Sequence, residues 1–338
     1  MSGRADAQIA GITAKPGSVA RGYVPYAHRI DGSPIGIPVV IMHGVEDGPT
    51  LTVDASCHGD EHEGTMAVLR LLEVVDQTAL RGTLVAVPLL NVPAVEAMQR
   101  GNPFDHWNSD LNRLFPGVPD GNLTQRAAYT HVNVIAEKTH YSISIHSGAS
   151  YIYWSPQGVC THDKGSVELV KMLGCDWDIV WQQGGEKAPL YGNCTAAMGS
   201  RGIPAITIEV GGAAERMPEP FARNSDVIVS GILNVMRSIG MLDGQVTRAK
   251  QWTIVRQVAV RSDKSGIIVA EPERKLRARV DEGAPLVRLL DAKGDETERV
   301  AAPVGGYIMG YRTYQYAPAG WPLVWMGEPT GTWSDGAG

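Results

Sequence analysis

The chain has 338 residues with 43% hydrophobic and 20% charged positions, enough apolar material for a large core without disulfide support. Thirty Lys and Arg against 36 Asp and Glu give a formal net charge of -6 with no basic run, which excludes a nucleic-acid-binding surface or an anionic-membrane surface as the obvious partner. The four cysteines form no C-x-x-C pair, and no apolar stretch approaches the length of a membrane span, so the expectation is a cytoplasmic protein without a thiolate zinc knuckle.

After a polar leader, IPVVIMHG (37–44) and LTVDASCHG (51–59) read as strands, and the second breaks off in glycine and charge. Val68, Leu71, Leu72, Val75 and Ala79 then recur at helical spacing, which predicts a helix over 62–79 entered directly from a strand end. GTLVAVPLL (82–90) has the near-continuous apolar character of a strand covered on both faces. The stretch 91–122 is rich in Asn, Asp, Pro and Gly, and a loop of that length in a compact domain usually serves a site. Helices are expected over 124–138, 164–174 and 219–240, and strands over 141–146 and 203–212. The sum is an α/β fold with chemistry at the carboxyl ends of strands. Beyond about residue 245 only short apolar segments punctuated by Gly, Pro and Asp remain, so a catalytic domain (1–245) with its leader and an all-β domain (246–338) are expected.

Three strand ends carry metal-compatible side chains: His58 with Glu61, His146, and Glu209. Two histidines and a glutamate can hold one zinc and leave a position open for water. His58, Glu61 and His62 also spell H-x-x-E-H, in which both histidines bind zinc from one helical face. Gly59 inside that string, after residues that read as strand, favours a turn instead.

The strings HGDEHEG (58–64), DLNRLFPG (110–117), IHSG (145–148) and IEVGG (208–212) together resemble the succinylglutamate desuccinylase and aspartoacylase family of zinc-dependent amide hydrolases, related to the zinc carboxypeptidases. HGDEHEG and the glycines after Glu209 look most like the branch that includes N-acetyl-diaminobutyrate deacetylases. The resemblance implies a zinc-carboxypeptidase-like mixed sheet flanked by helices, with the β-rich tail as a barrel-sandwich-like appendage. It also implies one zinc per chain held by His58, Glu61 and His146, with Glu209 as the catalytic glutamate and Asn112 and Arg113 holding a substrate carboxylate. The activity implied is hydrolysis of the linear amide of a small N-acyl amino acid.

The sequence departs from the family's pattern at two places. Ser144 stands where an acidic residue often orients the third ligand, leaving that task to Ser144 or to another carboxylate. Asp105 stands where aspartoacylase has a carbonyl-polarising arginine, so Arg100 is the nearest replacement, and Arg201 and Tyr151 are further candidates for substrate contact. Trp154 and Tyr153 are expected in the core, Cys57 as buried packing, and His106, Trp107 and Tyr191 near substrate access. Lys293 lies at a turn but lacks the methionine-flanked pattern of a biotinyl lysine, so the tail is expected to serve shape or homo-oligomer assembly. A metallocarboxypeptidase and a non-catalytic metabolite-binding protein are the competing readings.

Overall fold

The computed structural model describes residues 4–106, 109–184, 192–212, 218–271 and 273–335, with 218–221 as backbone only. The leader is not structureless: β1 (Ala7–Ile9) and β2 (Ile12–Ala14) form a hairpin, and β3 (Ser18–His28) pairs with β4 (Pro34–His43). Then come β5 (Glu46–Ala55), α1 (Glu63–Val74), β6 (Arg81–Val87), α2 (Val92–Glu96) and α3 (Leu123–Thr130). The chain continues through β7 (Tyr141–His146), β8 (Ile152–Cys160), α4 (Lys164–Lys171), β9 (Ile179–Gln182), α5 (Cys194–Gly199), β10 (Ala205–Gly211) and α6 (Pro218–Ser238). Everything after α6 is strand: β11 (Gln251–Arg261), β12 (Gly266–Ala270), β13 (Arg279–Val280), β14 (Pro285–Leu290), β15 (Glu296–Ala301), β16 (Gly306–Arg312), β17 (Tyr316–Ala317) and β18 (Pro322–Ser334).

A 12-stranded mixed sheet, in the order β13-β16-β18-β11-β9-β8-β10-β7-β5-β6-β4-β3, forms the spine. Its centre is parallel, β6 to β5 to β7 to β10, and helices cover both faces, so the polar side chains that alternate along β5 and β7, Thr52, Asp54, Ser142 and Ser144, are buried as well. On one face α1, α4 and α6 bury Leu71, Leu169, Ile228 and Ile232 against Ile143, Ile145 and Ile208. On the other, α3, α5 and the turn after α3 bury Ala128, Val132, Ile135 and Met198 against Val39, Ile41 and Val85. Helix α1 ends at Val74, before the expected 79, because Asp76 turns the chain by accepting from the Thr78 amide and hydroxyl; Ala79 is consequently exposed and Leu80 takes the buried position.

The composition change near residue 245 is not a break in the sheet. Strand β11 pairs in parallel with β9, and β16 pairs with β8, so the C-terminal strands extend the central sheet. A separate four-stranded sheet, β15-β14-β12-β17, packs on them around Leu286, Leu289, Ile308 and Met326 to make the barrel-sandwich region. Trp154, Ile179, Val255, Met309 and Trp325 bury one another where the two parts meet. Among the described residues, no helix is long and apolar enough to cross a membrane.

Candidate metal centre and active site

Register places the chemistry. In the parallel sheet Ala55 of β5 sits beside Ile145 of β7, and His146 of β7 sits beside Glu209 of β10, so three consecutive strand ends open on one side. At the end of β5 the backbone turns sharply through Ser56, whose φ of 53° is in the left-handed region that non-glycine residues rarely adopt. The Ser56 hydroxyl donates to the Glu61 carbonyl at 3.1 Å, closing the loop that carries His58 and Glu61. Gly59 has no substitute here, because a Cβ would lie 2.0 Å from the Ala94 carbonyl carbon. His62 is only the cap residue of α1, so His58 and His62 do not share a helical face and the H-x-x-E-H parse has no geometric basis.

The loop aims three donors at one point. His58 Nδ1 lies 2.7 Å from Glu61 Oε1, His146 Nδ1 lies 2.8 Å from Glu61 Oε2, and the two Nδ1 atoms are 3.2 Å apart. All three side chains are buried. A carboxylate spanning two imidazole nitrogens in this way is the donor set that a single divalent ion takes, with coordination room left over, so the residues fit zinc. Burial alone would raise the Glu61 carboxyl, but His58 and His146 hold it well below the usual range. Burial would likewise lower His58, yet the Glu61 charge and bonds to Asp110 and Glu61 hold it above its ordinary value.

Asp110 is the residue that sequence reasoning missed. It receives His58 Nε2 at 3.0 Å and Arg100 Nε at 3.0 Å, and accepts the Asn112 amide at 2.9 Å at the start of the short 3-10 turn Leu111–Arg113. Against its partial burial, His58 and Arg100 keep its carboxyl well below the ordinary value. Its signal was the Asp that opens DLNRLFPG. Ser144 does not orient His146; its hydroxyl donates to Asp54 at 2.7 Å, and His146 Nε2 instead meets Asn112 Nδ2 at 3.5 Å.

A cavity of about 940 Å³ lies over this centre. Glu209 lines it, with Oε2 buried and unpartnered, and burial together with the charges of Glu61 and Glu63 pushes its carboxyl well above the usual range. Arg100 reaches in, 3.5 Å from Glu61 Oε1, and Tyr151 lines the same wall. The Arg100 guanidinium, although burial opposes it, is held above its ordinary value by Glu61 and Asp110. Asn112 is fixed by the Cys194 amide at 3.1 Å, while Arg113 is 64% exposed, donates to the Asn112 carbonyl at 2.8 Å and lies 4.0 Å from Asp110 Oδ2.

Some candidates fall elsewhere. Arg201 is not among the cavity residues: it follows α5 in a turn and folds back, donating to the Val132 carbonyl at 2.8 Å and to Asn133. Asp105 accepts the Leu123 and Thr124 amides at the start of α3, which explains why no arginine stands there. Tyr153 bonds Asn224, and Trp154 packs edge-on to Trp325 with ring centres 5.4 Å apart. Cys57 is wholly buried, His106 is exposed, and Trp107 and Tyr191 lie outside the described residues. Lys293 pairs with Asp291 and Asp295 on the β14–β15 turn. The C-terminal strands add Arg256, Gln257 and Trp325 to the cavity wall.

With this geometry in place, comparison with known proteins is direct. The succinylglutamate desuccinylase/aspartoacylase catalytic domain family matches residues 47–239. The chain belongs to this family. Membership links it to zinc amidohydrolases that act on small acylated substrates. An N-alpha-acetyl-L-2,4-diaminobutyric acid deacetylase from Halomonas elongata is 28% identical over 216 residues, an alignment that covers 62% of this chain and 60% of that protein. The product-bound ectoine utilization protein EutE of Ruegeria pomeroyi superposes with a TM-score of 0.78 at 23% identity over 92% of this chain and 94% of that one. A succinylglutamate desuccinylase/aspartoacylase from Rhodobacter sphaeroides gives 0.78 at 20% identity over 93% and 96%. These two likenesses establish the shared fold.

Proposed function

We propose that the protein is a zinc-dependent deacylase that hydrolyses the amide of a small N-acyl amino acid, releasing a carboxylate and a free amine. The observation that carries this reading is the convergence in one cavity of the His58, Glu61 and His146 donors, the unpartnered Glu209 beside His146, and the Asn112–Arg113 pair. Zinc held by His58, Glu61 and His146 supplies Lewis acidity toward a carbonyl and makes water acidic near neutral pH.

In this reading Arg113 turns its planar fork of donors onto the substrate carboxylate, with the Asn112 amide beside it. Their position on the turn that Asp110 starts couples substrate placement to the orientation of His58. Arg100, already directed at Glu61, faces the scissile carbonyl oxygen. Glu209 accepts the proton of the attacking water at its unpartnered oxygen and returns it to the departing nitrogen. Burial and the charges of Glu61 and Glu63 raise the Glu209 carboxyl, the direction that strengthens it as the acceptor of the water's proton.

Arg256, Gln257 and Trp325 close one side of the cavity, which favours a small acylated amino acid over the end of a peptide. Residues 246–338 act, in this account, as a unit of shape, with the 1–245 portion carrying all of the chemistry. A panel of N-acyl amino acids, each paired with its carboxyl amide, assayed for amine release with zinc-loaded protein tests the reading. Release from free acids with strong discrimination against the amides is expected; release only from peptide C-termini would replace it with a carboxypeptidase.

A further inference from the structure

The two strands that deliver His58 and His146 also enclose a second set of ligand-type side chains. Asp54 lies on β5 four residues before His58, His131 opens a π-helical turn, His131–Ile135, directly after α3, and Cys194 is the first residue of α5. Asp54 and His131 are 0% exposed and Cys194 is 2% exposed. A carboxylate oxygen, a ring nitrogen and the sulfur all lie within 4.8 Å of one another.

These groups satisfy one another only in part. Asp54 Oδ1 accepts from Ser144, but Oδ2 and both ring nitrogens of His131 are buried with no hydrogen-bond partner. Nε2 of His131 faces Oδ2 of Asp54 at 3.3 Å, an ion-pair distance without hydrogen-bond geometry. Buried polar atoms almost always have partners, because leaving them dry is costly. The spacing suggests what is missing: nitrogen and oxygen ligands about 2.0–2.1 Å from a tetrahedral zinc stand about 3.3 Å apart. The backbone agrees, since a π turn is a rare irregularity that concentrates at functional sites, and this one begins at His131, the residue that meets Asp54.

We propose that Asp54, His131 and Cys194 form a second, buried site for a zinc-class divalent ion, distinct from the centre in the cavity. A thiol, an imidazole and a carboxylate together suit zinc better than a hard cation such as magnesium or calcium. On binding, the Cys194 thiol releases its proton to solvent and the thiolate becomes a ligand. The three donors are buried and leave the fourth position of a tetrahedral ion to water, so the ion enters as the chain folds and does not exchange with the cavity ion. Its place in the architecture is structural: it ties α5 to β5, and the Cys194 amide that results is the donor that fixes Asn112 at 3.1 Å. The proposal does not depend on which amide the cavity hydrolyses.

The test uses the full chain produced in cobalt-supplemented medium. The cavity centre has no cysteine, so a thiolate-to-cobalt charge-transfer band in the near ultraviolet reports the second site alone. Expected are that band, two equivalents of metal per chain, and survival of one equivalent after a chelator has stripped the other. Cys194→Ser abolishes the band and the chelator-resistant equivalent, whereas His58→Ala retains both. If Cys194→Ser fails to fold, the wild-type spectrum and stoichiometry decide alone. One equivalent with no thiolate band leaves a plain buried Asp54–His131 pair and overturns the proposal, as does a second equivalent that persists in Cys194→Ser.

Discussion

Asp110→Asn is the most informative single change, because one carboxylate holds a metal ligand and a cavity arginine together with the turn that carries Asn112 and Arg113. The amide oxygen of Asn can take the place of Oδ1, which accepts both the Asn112 amide and His58 Nε2, but His58 then meets a neutral oxygen in place of a carboxylate, and the NH2 faces Arg100 Nε, itself a donor. One charge-assisted bond is therefore lost and one donor clash gained. A hydrogen bond to a charged group contributes about 1.5–3 kcal/mol, and the 24% exposure of Asp110 argues for the lower part of that range. About 2 kcal/mol corresponds to roughly 30-fold, within the 10- to 100-fold that loss of a ligand's supporting partner typically costs in metal affinity. Zinc affinity is measured by competition with a chromophoric chelator, and turnover is then measured at saturating zinc with circular dichroism to confirm folding. The expected result is zinc binding weakened by about 10- to 100-fold, with kcat still depressed when zinc is restored, because Arg100 has lost its anchor. Zinc affinity within about two-fold of wild type would show that His58 is oriented by something other than Asp110.

Glu209→Gln keeps the size of the side chain and removes the proton acceptor, so turnover falls by roughly 100-fold or more while metal content holds; near-normal turnover in the metallated variant would assign the base elsewhere. Glu63→Gln removes one of the negative charges that raise Glu209, so Glu209 ionises at lower pH and the acid limb of the kcat/KM profile moves down; an unmoved or upward-moving limb contradicts that coupling. Arg113→Lys replaces a bidentate fork with a point charge, and free-acid substrates lose their advantage over carboxyl amides; equal losses for both would place Arg113 outside carboxylate recognition. Removing residues 246–338 strips β11 from β9 and β16 from β8, exposing sheet edge and the apolar side of Trp154, so the truncated chain is expected to aggregate; a monodisperse, folded 1–245 fragment by size exclusion and circular dichroism would contradict this.

The parts of the site that could be read from sequence are those whose chemistry is local. His58, Glu61, His146 and Glu209 stand out because charged residues that interrupt apolar strands are uncommon, and strand period with parallel pairing then brings them to one edge. Asp110 could not be recognised in the same way, since its function exists only when a long polar loop folds back so that one carboxylate meets a residue 52 positions earlier. For Arg201, nearness in sequence to the Glu209 strand says nothing of side-chain direction, which the turn after α5 sends to Val132. Asp54, His131 and Cys194 are each unremarkable alone and meet only through the stacking of α3 and α5 on the sheet.

The fold shows the same division. Strand β6 was plain from its apolar run, β7 from its alternation of isoleucine with serine, and α6 from its stripe of Ile228, Ile232, Val235 and Met236. Strand β3 was hidden in the polar leader because it is the edge of the sheet and fully buries only Val24 along its length. The change near residue 245 marks a change of local pattern, from alternating helices and strands to strands alone. Composition carries no record of partner choice, and the parallel pairing of β11 with β9, about 70 residues apart, joins the two patterns in one sheet.

In the proposed reaction His58, Glu61 and His146 hold the zinc on which amide hydrolysis depends. Stripping the cavity metal, then measuring amine release from an N-acyl amino acid as zinc is returned, tests it most directly. Expected are negligible release without the ion, a rise that saturates as one equivalent is restored, and no recovery at any zinc level in His146→Ala. Full release from the stripped protein, or zinc-restored release from folded His146→Ala, would contradict it.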